Sequence, residues 1–213
     1  SAQALQSLDK AQVAALTGTQ AGQLTATQID ALSSAQVGAL SAQAVAALSA
    51  SALASLDGAQ LAALRPSQMG SVTAEQIDAL SASQIAALSP QALAALSANA
   101  LASLDSAQLA ALSAAQVAAL SAAQLSALSA AQTAALNPAV LGSLSAEQVQ
   151  ALTPDLSAAQ QQALAQMQAA RELTPTQVAQ LTAQNIDQMS PAAVSGLKPS
   201  VIASLSAQAL QSL

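Results

Sequence analysis

The sequence predicts an all-α superhelical solenoid of short capped helices with an eight-residue repeat, and three observations carry that prediction. Leu stands at every eighth residue from Leu8 to Leu152, with Val72 as the single departure. A Ser, Thr or Asp opens most octads and is usually followed three places later by Gln, the pattern of a helix-starting capping box. All seven prolines, at 66, 90, 138, 154, 175, 191 and 199, come directly after an octad's first residue.

Each position of the octad has a physical reading. Ser113-Ala-Ala-Gln116-Val117-Ala-Ala-Leu120 is a clean copy. The hydroxyl or carboxylate at position 1 accepts from a free backbone N–H of the first turn, and Gln at position 4 reaches back to the N–H of the cap. Proline is favoured at the first helical position, where its missing N–H costs nothing, and is damaging inside a helix. Arg65, Ser89, Asn137, Thr153, Thr174, Ser190 and Lys198 precede the prolines and are therefore all expected at caps. Val, Ile or Leu at position 5 and Leu at position 8 are the expected core, and the small residues at 2, 3, 6 and 7 let neighbouring segments approach closely.

A single uninterrupted helix is excluded by its own geometry. At about 100° per residue, eight residues advance the phase by roughly 80°, so positions 5 and 8 would wander around the cylinder and form no apolar stripe. A bend at every octad follows, with each helix about one and a half turns long. Such pieces are unstable alone because nucleation costs more than one turn returns. Stability must come from stacking on neighbouring turns, as in other solenoids.

Composition narrows the function classes. The chain of 213 residues has no Phe, Tyr, Trp, His or Cys, so its core is built in thin layers of Leu, Val, Ile and Ala. The net charge is −6, and the four basic residues, Lys10, Arg65, Arg171 and Lys198, are scattered, which opposes nucleic-acid binding. Ser, Thr or Gln breaks every apolar run well short of the roughly 20 residues that a membrane span requires.

Nineteen octads cover residues 1–152, an irregular or longer helical insert covers 153–173, and five more octads cover 174–213, all expected in one continuous solenoid. The insert divides into Thr153-Pro-Asp-Leu156, an octad-like Ser157 to Leu164, and a tail ending Arg171-Glu-Leu173. Without Gly, and without Pro after 154, it can run as one helix of nearly twenty residues with Leu156, Ala163, Leu164, Met167 and Ala170 on one face. It reads either as a tolerated slip of register or as a joint.

A second period, six octads long, relates Asp9–Leu16, Asp57–Leu64 and Asp105–Leu112. It reads either as six octads completing a whole number of superhelical turns, for example two turns of three, or as duplication history alone. Ser1–Leu8 and Ser206–Leu213 are identical. The expectation drawn from that identity is a unit of a longer tandem array.

No catalytic constellation is visible. Without His and Cys the usual general base, thiol nucleophile and zinc ligands are missing, and the abundant Ser is explained by capping. The expected catalytic, cofactor-binding and metal sites are therefore none. Asp9, Asp57 and Asp105 could line up as a calcium ladder only if the six-octad period stacked them. Calcium wants about six oxygen ligands, and capping accounts for these residues more simply.

Two resemblances follow from the residues. Leu173-Thr-Pro-Thr-Gln-Val-Ala179 resembles the opening of the DNA-reading repeat of transcription activator-like effectors. It covers seven residues, the paired helix and base-reading dipeptide do not follow, and shared helix-start chemistry accounts for it. Across the whole chain, the array resembles the Leu-Thr/Ser-x-x-Gln-Ile/Val-x-x-Leu octapeptide repeats of large bacterial surface or secreted proteins. That resemblance implies a non-enzymatic structural shaft of an extracellular fibre, filament or adhesin, self-associating end to end or laterally or acting as a spacer. The alternative is a solenoid scaffold that binds a peptide, a protein or a surface along its groove. No cofactor is expected under either reading.

Replacing Ser113, Ser121 and Ser129 together with Ala removes three successive caps and should lower stability by about 0.5–2 kcal/mol per site. Urea unfolding followed by circular dichroism measures it, and an unchanged midpoint would mean that the bends lie elsewhere.

Overall fold

A computed structural model describes residues 2–171, 186 and 188–211. Among the described residues there are only helices and turns, with no strand. Octads 1 to 17 each form one helix of four to six residues, such as Ala42–Ala47, Ala50–Ala54 and Gly58–Ala62. The octad and its helix therefore coincide.

Where a helix runs to position 7, the corner is made from two consecutive extended residues. Leu88 at the end of one octad has φ −64° and ψ 140°, and Ser89 at the start of the next has φ −64° and ψ 149°. No described residue has positive φ. The chain turns without the left-handed residue that commonly closes a helix, so glycine is not needed at the corner. The extended cap also suits proline next to it, because proline disfavours helical backbone in the residue before it. Arg65, Ser89, Asn137, Ser190 and Lys198 are all extended as expected.

Thr153 departs from that expectation. It has φ −51° and ψ −39° and continues out of helix Ala146–Leu152 into a 3-10 turn, Thr153–Asp155. Its hydroxyl donates back to the Val149 carbonyl at 2.8 Å instead of capping a new helix. Pro154 thus ends an octad's helix and starts none. Thr174, before Pro175, lies outside the described residues, as do residues 174–185 of the last five octads. Octad 18 also differs, running as a 3-10 helix over Pro138–Ser143.

Burial follows the octad. Position 5 (Val45, Leu53, Leu61, Met69, Ile77, Ile85) and position 8 (Leu40, Leu48, Leu56, Leu64) are buried, and one apolar cluster runs from Val13 to Met167. Each helix stacks on the one three octads further on: Gly18–Ala21 on Ala42–Ala47, Pro90–Ala94 on Ala114–Ala119. Side-chain hydrogen bonds between turns span 28 to 31 residues. A superhelical turn therefore takes between three and four octads. Helices six octads apart, such as Lys10–Ala14, Gly58–Ala62 and Ser106–Ala110, belong to one column of stacked helices, with Ser34–Val37 and Ala82–Ala87 between them.

The insert is absorbed by a shorter turn. Ser157 and Gln160 form a capping pair ahead of helix Ala158–Arg171. Gln160 finds its carbonyl partners on Thr133 and Leu136, 27 and 24 residues back, four fewer than elsewhere. The four residues 153–156 thus stand where a whole octad would, and the cross-turn pairing resumes. Ala163, Met167 and Ala170 of this helix are buried, as is Leu156 ahead of it, while Leu164 packs half-buried against the core. The buried face is thus the expected one at Ala163, Met167 and Ala170, but the single helix of nearly twenty residues is not formed: the helix has 14 residues, and Leu156 is extended and lies ahead of it. Met167 lies so close to Gly196 that a Cβ there would meet the Met167 carbonyl oxygen at 2.5 Å, so only glycine fits at this crossing.

One core position carries a polar atom. Thr133 occupies position 5, is fully buried, and its hydroxyl has no hydrogen-bond partner. Burying an unpaired hydroxyl costs on the order of 1 kcal/mol or more. Thr133→Val should therefore stabilise the chain by about 1 kcal/mol and raise Tm by roughly 2–4 °C. A thermal melt tests it, and a lowered Tm would refute it.

Candidate functional site: the cross-turn latch

The feature that recurs between Gln36 and Gln160 is a latch built on position 4. In octad 15, Gln116 Oε1 accepts the backbone N–H of Ser113 at 2.9 Å, while the Ser113 hydroxyl accepts the N–H of Gln116 at 3.2 Å. This is the expected capping box. The other end of the same carboxamide does something the sequence did not announce. Gln116 Nε2 donates to the carbonyls of Ile85 at 3.0 Å and Leu88 at 2.9 Å, on the preceding turn.

The arrangement recurs octad after octad. Gln76 Nε2 reaches Val45 and Leu48, Gln108 reaches Ile77 and Leu80, and Gln132 reaches Ala102 and Leu104. The acceptors are the carbonyl of the corner Leu, which lies beyond the helix's own ladder, and one at the end of the same short helix, such as Ile85, which also accepts the N–H of Leu88 at 3.2 Å. One Gln therefore satisfies the start of its own helix and the end of another on the preceding turn. Gln60, Gln68, Gln76, Gln108 and Gln116 are all buried, each with its hydrogen-bonding capacity matched.

Some octads without Gln use other ties. In octads 7, 13 and 18, position 4 is Ala52, Ala100 or Val140, and Ser stands at position 7. The hydroxyls of Ser55, Ser103 and Ser143 donate across the turn to Ala26, Ala74 and Ala114, each shared with the carbonyl of its own position 4. Ser55 and Ser103 lie six octads apart, so part of the longer period is an alternation of latch type. Arg65 lacks a side-chain cap but sends Nη2 to the Leu40 carbonyl at 3.1 Å, beside Gln68.

A signal for the latch was present in the sequence. Glu serves a capping box as well as Gln does, yet thirteen of the first nineteen octads have Gln at position 4 and none has Glu. A carboxylate could accept the cap N–H but could not donate to carbonyls. The excess of Gln over Glu records the donor.

The structure keeps the three Asp residues apart. Asp9, Asp57 and Asp105 each cap their own helix, accepting from Gln12, Gln60 and Gln108 at 2.7–2.8 Å. The helices they cap are separated in the stack by Ser34–Val37 and Ala82–Ala87, so the three carboxylates do not meet. Among the described residues no three acidic, His or Cys side chains gather to hold a metal, and no helix is long and apolar enough to cross a membrane. A cleft of about 660 Å³ lies beside the insert, between Leu144, Val149, Pro154, Leu164, Gln168 and Arg171. The Arg171 guanidinium at its edge donates to the Gly142 carbonyl.

Gln116→Met keeps the length of the side chain but removes both functions, leaving the Ser113 N–H and the Leu88 carbonyl without partners. It should cost about 2–4 kcal/mol. Gln12→Met, on the exposed first turn where only the cap function is used, should cost about 1 kcal/mol. Equal losses in urea titrations would mean the cross-turn bonds contribute nothing.

Comparison with known proteins agrees with this repeat geometry. The family model described as the ALTTAQ repeat matches residues 90–122 and 101–138, a stretch containing Ala111-Leu-Ser-Ala-Ala-Gln116 and its next two copies. No curated protein matches the chain. The chain is a tandem helical repeat protein, similar over residues 90–138 to the ALTTAQ repeat.

Proposed function

We propose that the chain is a non-catalytic shaft, the repetitive structural part of an extracellular fibre, filament or adhesin. The observation that carries this reading is the latch itself. Polar side chains that an enzyme or receptor would direct outward are here spent on joining one turn to the next. Because the tie recurs at the same separation from octad to octad, each added octad extends the stack by the same amount, and length is set by copy number. The surface between the ties is mostly Ala and Ser at positions 2, 3, 6 and 7, without the aromatic and Arg anchors on which most binding hot spots rest. The resemblance to octapeptide repeats of bacterial surface proteins supports the extracellular setting, and copies of the same repeat are the favoured partners.

A second reading, a scaffold that binds a peptide or protein segment, draws on the cleft beside the insert, where the regular surface is interrupted. Under it, activity resides at residues 144–171 and the octads only position the cleft.

Removal of residues 57–112, seven octads, discriminates between the two. The shaft reading expects a folded chain whose maximum dimension in small-angle scattering falls in proportion to the residues lost. A compact particle before deletion, or a shortened chain that no longer folds, would sink it.

A further inference from the structure

Stacking three octads apart sorts the helices into columns, and the latches are not shared equally among them. One column holds helices Ser34–Val37, Gly58–Ala62, Ala82–Ala87, Ser106–Ala110 and Ala130–Ala135. Each of these has a donating Gln in its first turn: Gln36, Gln60, Gln84, Gln108 and Gln132. The next column holds Ala50–Ala54, Ala74–Asp78 and Ala98–Ala102. It alternates Ser and Gln and is still tied at every one of these turns, through Ser55, Gln76 and Ser103.

The remaining column is tied only at alternate turns. It holds Gly18–Ala21, Ala42–Ala47, Pro66–Met69, Pro90–Ala94 and Ala114–Ala119. Gln68 and Gln116 latch octads 9 and 15 to the turn before, but octads 6 and 12 carry Ala44 and Ala92 at position 4. Among the described residues, the side chains of these two octads make no hydrogen bond to the preceding turn. The N–H groups of Ser41 and Ser89 have no acceptor there, and the carbonyls of Leu16 and Leu64, 28 residues before the missing carboxamides, have no donor. Close contact is what remains. The helices beneath lead to Gly22 and Gly70, where a Cβ would stand 3.0 Å from the Ala47 carbonyl and 3.3 Å from the Ala95 carbonyl. Packing of that kind holds the turns together without a directional bond to fix their register.

We infer that octads 6 and 12 are flexural joints, at which this column opens locally while the fully latched column serves as the spine on which the solenoid bends. Both joints lie on the same column, because a step of six octads returns to it. Their openings therefore add to a bend in one direction, whereas joints scattered among the columns would oppose one another. The inference goes beyond the shaft reading, since it concerns how the stack yields and not what the chain joins.

Hydrogen exchange of the full chain, read by mass spectrometry with residue resolution, tests it. The comparison uses N–H groups bonded alike within their own helices, at 2.9–3.1 Å: Val45 and Leu93 at the joints, Met69 and Val117 at latched turns of the same column, and Leu61 and Leu109 in the spine. Protection at Val45 and Leu93 should be at least about tenfold lower than at the other four. Ala92→Gln supplies the missing carboxamide and should raise protection at Leu93 to the level of Val117 while leaving Val45 unchanged. Ala92 is fully buried, so a second variant works in the opposite sense and needs no added room. Gln116→Ala unties octad 15 and should lower protection at Val117 to the level of Leu93, with the spine unaffected. Equal protection along this column in the wild-type chain would overturn the inference, and so would a Gln116→Ala variant in which Val117 exchanges as before.

Discussion

The structure depends on a single carboxamide doing two things. A helix of five residues has almost as many unpaired backbone groups as paired ones, and a protein made only of such helices would be a catalogue of unsatisfied N–H and C=O groups. Gln at position 4 resolves this by facing both ways. Its oxygen closes the start of its own helix, and its nitrogen closes the end of a helix on the preceding turn. Burial of positions 5 and 8 supplies the driving force for stacking, but it is non-directional. The carboxamide fixes how far one turn is displaced along the next.

That division of labour explains how the insert is tolerated. Residues 153–156 remove half an octad, which in a structure held only by periodic apolar contacts would turn later side chains out of phase. Here Gln160 takes hold of Thr133 and Leu136 with a turn shorter by that same half octad. The long helix Ala158–Arg171 then buries Ala163, Met167 and Ala170 against the neighbouring segments, with Gly142 and Gly196 making room for Met167. Pairing is conserved through the slip, and the local helix length gives way.

Much of this was legible before the structure. Caps, prolines and Leu spacing are local signals acting within one octad, and they located the helices, the corners and the buried positions. Thr153 was misplaced because the rule that proline follows an extended cap has an exception where a helix runs on into a 3-10 turn. The number of octads per turn was not legible, since it is set by how far a Gln side chain reaches across a stack, a property of tertiary contact. The role of Gln36, Gln76 or Gln116 as a donor was written in the absence of Glu at position 4, but only a partner on another turn gives that absence a meaning.

A turn of three to four octads has a consequence for the outside of the solenoid. Successive octads face different ways around the superhelix, so a residue repeated at every octad is distributed around the circumference and gathers in no single stripe.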